Sequence, residues 1–233
     1  MEKALTHALP VNDALDVGCG TGHSTVALLP YAHRIVGIDP SSAMRALAPL
    51  HPKIEYRKGH AEALPFRDSS FDLVTVGSAY HWFDHERFLD EARRVLRPQG
   101  WLVLYKVGSM GRIDDRPDFE RWRRGSLRAR YPKVERNSQP LTPEVAAQFG
   151  FTEIACEAME RRQCYNLEAY VENLMTHSSV IRVVDSGRES VSAARDWLRE
   201  ELAPFFADGE AEFTHEAGIH ILQKKALLEL SRA

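Results

Sequence analysis

A glycine-rich turn after a short apolar run is the feature that most constrains what this chain can fold into. Residues 14–17 predict a strand, and the turn GCGTG at residues 18–22 follows it directly. Glycine tolerates conformations and close approaches that a Cβ forbids, so such a turn brings bare backbone groups next to a ligand. Asp39 ends the next apolar run, 21 residues after Gly18, where an acidic residue can bind ribose hydroxyls. The two features together predict a nucleotide-like ligand.

Short apolar runs alternate with helical stretches along the rest of the chain. This alternation is typical of an α/β protein in which helices cover both faces of a mostly parallel sheet. Strands are predicted at residues 14–17, 34–38, 54–57, 71–76, 101–107, 151–165 and 212–224. Helices are predicted at residues 24–29, 43–50, 85–96, 167–177 and 189–206, and a type I turn at 97–100. The sequence therefore predicts a doubly wound sheet of seven strands with a helical insertion after strand five.

The length and charge of the chain limit its organisation and its partners. The 233 residues fit one domain, which we divide into a cofactor-binding core at 13–107, a helical insertion at 108–140 that can cover the substrate, and C-terminal helices and strands at 141–233. A net charge of −3 gives no overall basic field, so nucleic-acid binding is not expected. No apolar run approaches the roughly 18 residues that span a bilayer, so no membrane partner is expected.

The start of the chain and its cysteine content predict a cytoplasmic protein. Residues 1–11 lack the basic and apolar pattern of a secretory signal. Cys19, Cys156 and Cys164 are odd in number and form no C-x-x-C pair, which disfavours both a disulfide framework and a zinc knuckle. A reducing cytoplasm is therefore the predicted location.

Spacing within the glycine turn separates the candidate cofactors. The dinucleotide fingerprint G-x-G-x-x-G requires a third small residue, and His23 stands at that position. An imidazole fits that packing role badly, which disfavours a nicotinamide dinucleotide. Asp16, just before the turn, suits a ligand with an amino group or a sulfonium better than a pyrophosphate. S-adenosylmethionine has both groups and is the predicted cofactor.

Five segments, in order, resemble the motifs of one enzyme family. They are ALDVGCGTG at 14–22, VGIDPS at 36–41, GHAEALPF at 59–66, FDLV at 71–74 and LRPQGWL at 96–102. Together they resemble the class I S-adenosylmethionine-dependent methyltransferases, in the small-molecule branch known as the type 11 methyltransferase domain, and imply their Rossmann-like fold. Residues 78–84, SAYHWFD, further resemble trans-aconitate methyltransferase-like proteins. In the family a longer helical segment precedes the first strand than the thirteen residues present here, which suggests truncation at that end.

The resemblance also implies which residues hold the cofactor. The positions that match its motifs are Gly18 and Gly20 for the methionine moiety, Asp16 for its amino group, Asp39 for the ribose, Met44, Ala61 and Glu62 for the adenine, and Ser78 for the remaining wall. The family often has Asp where His60 stands, so Glu62 is the better acidic candidate. Met44 as ordinary core and Glu62 as a solvated charge remain alternatives.

Residues after the strands are candidates for binding the methyl acceptor, because ligands of open α/β sheets bind outside the carboxyl ends of the strands. The predicted substrate-binding residues are His81, Trp82, Arg112 and His177. His81 is also the candidate catalytic base, and helix capping is the alternative role for His177. His81 and His85 have the i, i+4 spacing of a metal pair, but the strand end before them argues against a continuous helix, so no metal is expected.

The predicted insertion is locally basic. Residues 112–136 hold nine basic and five acidic side chains, a balance of +4. Mixed charges at helical spacing commonly pair with one another, and an anion clamp is the alternative.

The predicted function is transfer of a methyl group from S-adenosylmethionine to a small-molecule acceptor, with a carboxylate or another anionic metabolite as one candidate. Holding the reactants in line contributes about 7–11 kcal/mol, whereas a general base contributes about 10²- to 10⁴-fold in rate. Positioning therefore dominates, and a carboxylate acceptor needs no base. The alternatives are a non-catalytic cofactor-binding protein, an NAD-dependent oxidoreductase and an RNA methyltransferase. The sequence does not identify the acceptor, the methylated atom or the oligomeric state.

Overall fold

Seven strands form one sheet in the part of the chain that the computed structural model describes, residues 9–108, 110–207 and 209–226. They are β1 (Val11–Val17), β2 (Ala32–Asp39), β3 (Ile54–Lys58), β4 (Phe71–Gly77), β5 (Leu96–Val107), β6 (Phe151–Asn166) and β7 (Glu210–Lys224). Their order in the sheet is β3-β2-β1-β4-β5-β7-β6. The pairs β1–β2, β1–β4, β2–β3 and β4–β5 are parallel. The predicted α/β fold with a doubly wound, mostly parallel sheet is confirmed.

The direction in which strands are added to the sheet reverses at β1. β2 lies on one side of β1 and β4 on the other, so the chain builds one half of the sheet and then crosses to the other half. Leu15 of β1 is in register with both Val36 and Val74, so the carboxyl ends of these three strands lie side by side. Ligands of open α/β sheets bind outside such a switch point. The turns that follow β1, β2 and β4 are therefore the place to look for a site.

Nine α-helices occur within the same described ranges. They are α1 (His23–Val26), α2 (Ser42–Ala46), α3 (His85–Val95), α4 (Pro117–Trp122), α5 (Arg128–Arg130), α6 (Pro143–Gln148), α7 (Leu167–Met175), α8 (Ser178–Asp185) and α9 (Val191–Leu202). Turns of 3-10 helix occur at Tyr80–Trp82 and Ala203–Phe206, and a π-helical stretch at Arg123–Leu127. No helix in these ranges is long and apolar enough to cross a membrane. Residues 1–8, most of the segment predicted to carry no secretory signal, lie outside them.

The five predicted helices are found, but most are shorter than predicted. α2 ends at Ala46, although the sequence predicts a helix to residue 50. Leu47 and Leu50 are 72% and 95% exposed, so no packing supports a further turn, and short helices depend on such packing. α1 comprises only the four residues His23–Val26, whereas the sequence predicts a helix of six residues at 24–29. Apolar spacing therefore locates these helices without fixing their ends.

Two segments differ from the sequence prediction. The turn predicted at residues 97–100 is wrong, because β5 already begins at Leu96. The register between β4 and β5 passes from Phe71–Leu96 to Leu73–Trp101, and the extra residues form a bulge in which Gln99 has a φ of 62°. Helix α8 was not predicted, although its apolar residues at 180 and 183 are buried at helical spacing.

The described residues divide into two compact units. Unit 1 comprises the chain up to residue 106, residues 136–157 and the chain from residue 218. Unit 2 comprises residues 107–135 and 158–217. The division into a core, an insertion and a C-terminal part of a single domain stays a prediction.

Each unit has its own hydrophobic core. In unit 1, Phe88 of α3 is fully buried in a largely aliphatic cluster that includes Leu15 and Val74. The core of unit 2 is rich in aromatic rings, and the rings of Tyr170 and Phe213 stack with centroids 4.0 Å apart. Apolar burial of this kind is the main favourable term in the folding of each unit.

Replacing Phe88 by alanine should remove about 3–5 kcal/mol from the free energy of unfolding, because the cavity it leaves cannot collapse fully. The matched control is Arg87→Ala on the exposed face of the same helix, which should change the free energy by less than about 0.5 kcal/mol. Urea denaturation followed by circular dichroism measures both variants. A loss below about 1 kcal/mol for F88A would contradict the placement of α3 against the sheet.

Candidate active site

The glycine turn after β1 is fastened to the end of β2. The amides of Gly18 and Cys19 both donate to the carbonyl of Ile38, at 2.8 and 3.0 Å. Gly18 has a φ of 71°, and a Cβ built on it would lie 2.6 Å from the Cβ of Ala79. Gly20 has a φ of 53°, but a Cβ there would meet nothing within 4 Å. Packing therefore requires a glycine at position 18, whereas Gly20 borders open space that a ligand can approach closely.

Asp39 links the glycine turn to the end of β2. Its Oδ2 accepts a hydrogen bond from the Gly20 amide at 3.0 Å, and its Oδ1 accepts one from the Ser41 amide at 2.8 Å. The side chain is half-buried, and each carboxylate oxygen has capacity for a further hydrogen bond. Asp39 can therefore accept hydrogen bonds from ligand hydroxyls while holding the turn in place.

Asp16 is fully buried beneath the same turn. Its Oδ2 accepts hydrogen bonds from the hydroxyls of Ser24 and Thr25, both at 2.6 Å, and its Oδ1 accepts one from Thr75 at 3.0 Å. Burial raises the pKa of Asp16, and these three hydrogen bonds oppose that rise. The carboxyl group thus joins β1, α1 and β4. The contact of Asp16 with a ligand amino group stays a prediction.

The residues predicted for adenine lie on two further segments of unit 1. Met44 is 37% exposed on α2, where its amide is capped by the Ser41 hydroxyl at 3.2 Å. Ala61 is buried, and Glu62 accepts a hydrogen bond from the Asp84 amide at 3.0 Å. Glu62 is therefore engaged at the start of α3 rather than being only a solvated charge. An adenine contact for these three side chains stays a prediction.

Ser78 ends β4 in an unusual backbone conformation. Its φ is 54°, in the left-handed region that residues other than glycine rarely adopt, and its amide donates to the carbonyl of Tyr105 at 2.8 Å. Such strain costs of the order of 1–3 kcal/mol and is concentrated at functional sites. The conformation turns the chain away from the sheet at the switch point, directly into the 3-10 turn at Tyr80–Trp82.

A cavity of about 360 Å³ lies beside this turn, within unit 1. The polar side chains that line it include Ser78, Tyr80, His81, Lys106, Asn137 and His220. The Tyr80 hydroxyl is buried and has no hydrogen-bond partner among the described residues.

The two aromatic residues predicted to bind substrate both belong to the 3-10 turn. His81 lines the cavity, and its carbonyl accepts a hydrogen bond from the Asn137 amide at 3.0 Å. Trp82 is 48% exposed, and the guanidinium of Arg136 lies over its ring at 5.0 Å from the centroid. Residues 137–141, most of which belong to the insertion predicted to cover the substrate, also line the cavity.

The protonation state of His81 limits its chemistry. Burial lowers its pKa to about 4, and the charges of Arg136 and Lys106 contribute to the same direction. The ring is neutral at pH 7 and can accept a proton, but a general base works best when its pKa is near the working pH. A catalytic role for His81 stays a prediction, and its geometry suits hydrogen bonding better than proton abstraction.

His81 and His85 do not share one helix face. His81 lies in the 3-10 turn, whereas His85 begins α3. The Nε2 of His85 lies 3.2 Å from the carbonyl of Tyr80, and the two rings stack at 3.9 Å. Their i, i+4 spacing therefore does not place the two rings on one face of one helix.

The other two residues predicted to bind substrate meet in a cavity of unit 2. Arg112 and His177 line a space of about 260 Å³ together with Arg123 and Arg128. His177 also accepts a hydrogen bond from the Ser179 amide at 3.4 Å, so the alternative role of capping α8 is confirmed. A role for Arg112 and His177 in binding substrate stays a prediction.

Ion pairs account for most of the basic residues of the insertion. Arg112 pairs with Asp114 and Glu160, Arg116 with Asp118, and Arg130 with Glu189. Arg123 and Arg124 both pair with Glu120. Local pairing is therefore confirmed, although three of the arginines in unit 2 also face the cavity described above.

Known proteins have a similar fold, and some are similar in sequence to the first half of the chain. The family described as "Methyltransferase domain" matches residues 15–104. YcgJ of Bacillus subtilis, named an uncharacterized methyltransferase, is 34% identical over 97 residues, which cover 39% of this chain and 38% of YcgJ. A structure from Anaeromyxobacter dehalogenans, named for a type II methyltransferase, covers 96% of this chain and 94% of its own at 25% identity, with a TM-score of 0.69.

Residues 15–104 match a methyltransferase domain of the class I S-adenosylmethionine-dependent type. S-adenosylmethionine is the cofactor of this domain family. A protein of Dictyostelium discoideum that is named as a methyltransferase is 37% identical over 97 residues, 42% of this chain and 37% of its own. The chain thus spans less than two fifths of the length of these two relatives.

The glycine turn, Asp39 and Ser78 fit that cofactor. Gly20 borders open space that the backbone of the turn shares with a ligand, and the half-buried Asp39 faces the turn with acceptor oxygens suited to ribose hydroxyls. The sequence analysis missed Lys106, Asn137 and His220 as cavity residues, because they come from segments that carry no motif.

The two glycines of the methyltransferase turn should respond differently to alanine. Gly18→Ala should lower the free energy of unfolding by about 2–5 kcal/mol, because the left-handed conformation and the clash with Ala79 add together. Gly20→Ala should cost only about 1–2 kcal/mol, because it meets strain without a clash. Chemical denaturation measures both, and equal losses would show that the turn is not packed as described.

Proposed function

We propose that the protein transfers the methyl group of S-adenosylmethionine to a small-molecule acceptor that carries an anionic group. One observation supports this proposal: the turn that follows β4 contacts both the glycine turn and the cavity of unit 1. Gly18 packs against Ala79 and Phe83, and the residues between them, Tyr80 and His81, line the cavity of unit 1. The glycine turn and the cavity therefore both border residues 78–83. An acceptor in the cavity would be next to a cofactor on the turn.

The chain's own residues would bind and orient the cofactor. The carboxylate of Asp39 would accept the ribose hydroxyls, the backbone of Gly18 and Gly20 would approach the methionine moiety, and Ser78 would close the wall beside it. Met44, Ala61 and Glu62 would flank the adenine. Asp16 would act mainly as a positioning residue, because all its hydrogen bonds hold the turn and its exposed fraction is 0%. The sulfonium of the bound cofactor supplies the electrophilic methyl group.

Positioning would provide most of the rate. Holding donor and acceptor in line contributes about 7–11 kcal/mol, more than the 10²- to 10⁴-fold of a general base. A neutral His81 with a pKa of about 4 is a weak base, but its ring can hydrogen-bond an acceptor that needs no deprotonation. A carboxylate is such an acceptor.

The charges around the cavity favour an anion. Lys106 lines the cavity of unit 1, and the positive charges of Lys106 and Arg136 both act on the ring of His81. In unit 2, considered by itself, the second cavity is lined by three arginines and by Glu216, and Arg112 and Arg123 already pair with carboxylates. The cavity of unit 1 is therefore the one whose charges support an anionic small molecule. The finer resemblance to trans-aconitate methyltransferase-like proteins is consistent with such an acceptor and stays a prediction.

The domain division and the cellular location of the protein are also part of the proposal. We infer a single methyltransferase domain with its cofactor core at 13–107, a substrate cover at 108–140 and the remaining elements at 141–233. Its cytoplasmic location rests on the three cysteines, which are free thiols in the structure. No oligomeric state is proposed.

Removing the carboxylate of Asp39 should weaken cofactor binding about 10- to 100-fold, because a hydrogen bond to a charged group contributes about 1.5–3 kcal/mol. Isothermal titration calorimetry of Asp39→Ala with S-adenosylmethionine measures the effect. Asp39→Asn, which keeps one acceptor oxygen for the glycine turn, should lie between this variant and the unaltered protein. The control Asp90→Ala removes an exposed carboxylate of α3 and should bind normally.

Turnover separates the proposal from its alternatives. Incubation with S-adenosylmethionine and a pool of small carboxylic acids should release S-adenosylhomocysteine. Tight cofactor binding without product from any pool of small molecules would instead favour the non-catalytic binder. Binding of NADH rather than S-adenosylmethionine would favour the oxidoreductase, and strongly salt-dependent RNA binding would favour the RNA methyltransferase.

An anion bound in the unit 1 cavity should raise the pKa of His81 from about 4 towards its ordinary 6.5, because it offsets the nearby cationic charge. NMR titration of the ring protons, with and without citrate, measures the shift, and the His81→Gln spectrum assigns the resonance. Since the folded pKa lies below the ordinary value, the stability should fall as the pH drops from about 6.5 to 4. A pKa that citrate leaves unchanged would contradict an anionic acceptor at this position.

A further inference from the structure

Three side chains with metal-binding atoms meet on neighbouring strands of unit 1. Glu153 and Cys156 belong to β6 and His220 to β7. One ligand atom from each lies within 4.8 Å of the other two. Nothing in the methyl-transfer proposal uses this group of residues, except that His220 also lines the cavity.

The hydrogen bonds of His220 orient its ring. Its Nδ1 lies 3.2 Å from Oε2 of Glu153, and its Nε2 lies 3.6 Å from Sγ of Cys156. A carboxylate only accepts hydrogen bonds, so Nδ1 carries the proton of the neutral ring. The lone pair of Nε2 is then left facing the sulfur.

The distance between sulfur and nitrogen suits two ligands of one metal ion. Zinc binds cysteine sulfur at about 2.3 Å and histidine nitrogen at about 2.0–2.1 Å in tetrahedral geometry. Two such bonds at about 109° place the ligand atoms about 3.6 Å apart. Sγ of Cys156 and Nε2 of His220 lie 3.6 Å apart in the structure.

Glu153 takes the position that a supporting carboxylate commonly has beside a metal-bound histidine. A metal-bound histidine almost always donates its other ring N–H to a carboxylate, a carbonyl or water, which fixes the ring and strengthens its bond to the metal. The side chains of His220 and Glu153 keep 34% and 18% of their surface exposed, and Cys156 is exposed. An ion can therefore reach the site from solvent.

We propose that Cys156 and His220 bind a zinc-type divalent cation, with Glu153 as the positioning residue for His220. Sγ and Nε2 are the protein ligands, and water fills the remaining coordination positions. The thiol releases its proton to solvent as the metal–sulfur bond forms. Thiolate and imidazole select zinc-like ions over magnesium or calcium, which prefer oxygen. The site does not depend on the proposed methyl transfer.

The sequence analysis could not find this site. Its expectation of no metal rests on the absence of a C-x-x-C pair and on the spacing of His81 and His85. Cys156 and His220 are separated by 64 residues, and only the adjacency of β6 and β7 in the sheet brings them together.

Titration of the full chain with Co²⁺ tests the proposal. One equivalent should bind and produce a near-ultraviolet thiolate-to-cobalt absorption band, which added Zn²⁺ should abolish by displacement. Cys156→Ser should lose the band and bind at least tenfold more weakly. The matched control is Cys164→Ser, the other exposed cysteine of β6, which should keep both the band and the affinity.

Glu153→Gln separates the positioning role from mere structure. It should keep the thiolate band and weaken binding about 10- to 100-fold, because a supporting residue tunes a metal without contacting it. Circular dichroism verifies that each variant is folded. A band that survives in C156S or disappears in C164S would overturn the proposal. So would the absence of any band while iodoacetamide alkylates Cys156 equally fast with and without Zn²⁺, which would indicate only a hydrogen-bonded thiol.

Discussion

The buried carboxyl group of Asp16 is the interaction on which the rest of the cofactor half depends. It sits at the end of β1 and accepts hydroxyl hydrogen bonds from α1 and from β4. A buried polar group without partners costs several kcal/mol, whereas a satisfied one fixes a unique arrangement. Asp16 therefore ties the helix after the glycine turn to β1 and β4, at the strand where the order reverses.

Two further contacts hold the glycine turn above this buried carboxyl group. Asp39 fixes the far side of the glycine turn through the Gly20 amide, and Gly18 packs on the turn that follows β4. The strained Ser78 then directs that turn towards the cavity. The residues proposed to bind cofactor and acceptor are thus positioned by connected contacts within unit 1.

The sequence predicts the cofactor half well because its features are local. The glycine turn, Asp39 and Ser78 lie at strand ends, where consecutive residues specify both the backbone path and the chemistry. The cavity wall is different: Lys106, Asn137 and His220 come from distant segments, and residues 131–142 contain no helix or strand. Helix α8 and the bulge in β5 escape prediction because burial and register, not local propensity, decide them.

The bond between Asp39 and the Gly20 amide has a consequence for the thermodynamics of ligand exchange. It fixes the turn by a contact within the protein itself, so the conformational entropy of that turn is lost on folding and not again on binding. A ligand that leaves does not release the turn into many conformations, and the next one does not have to order it. Successive ligands of similar shape can then replace one another on a surface that stays the same throughout.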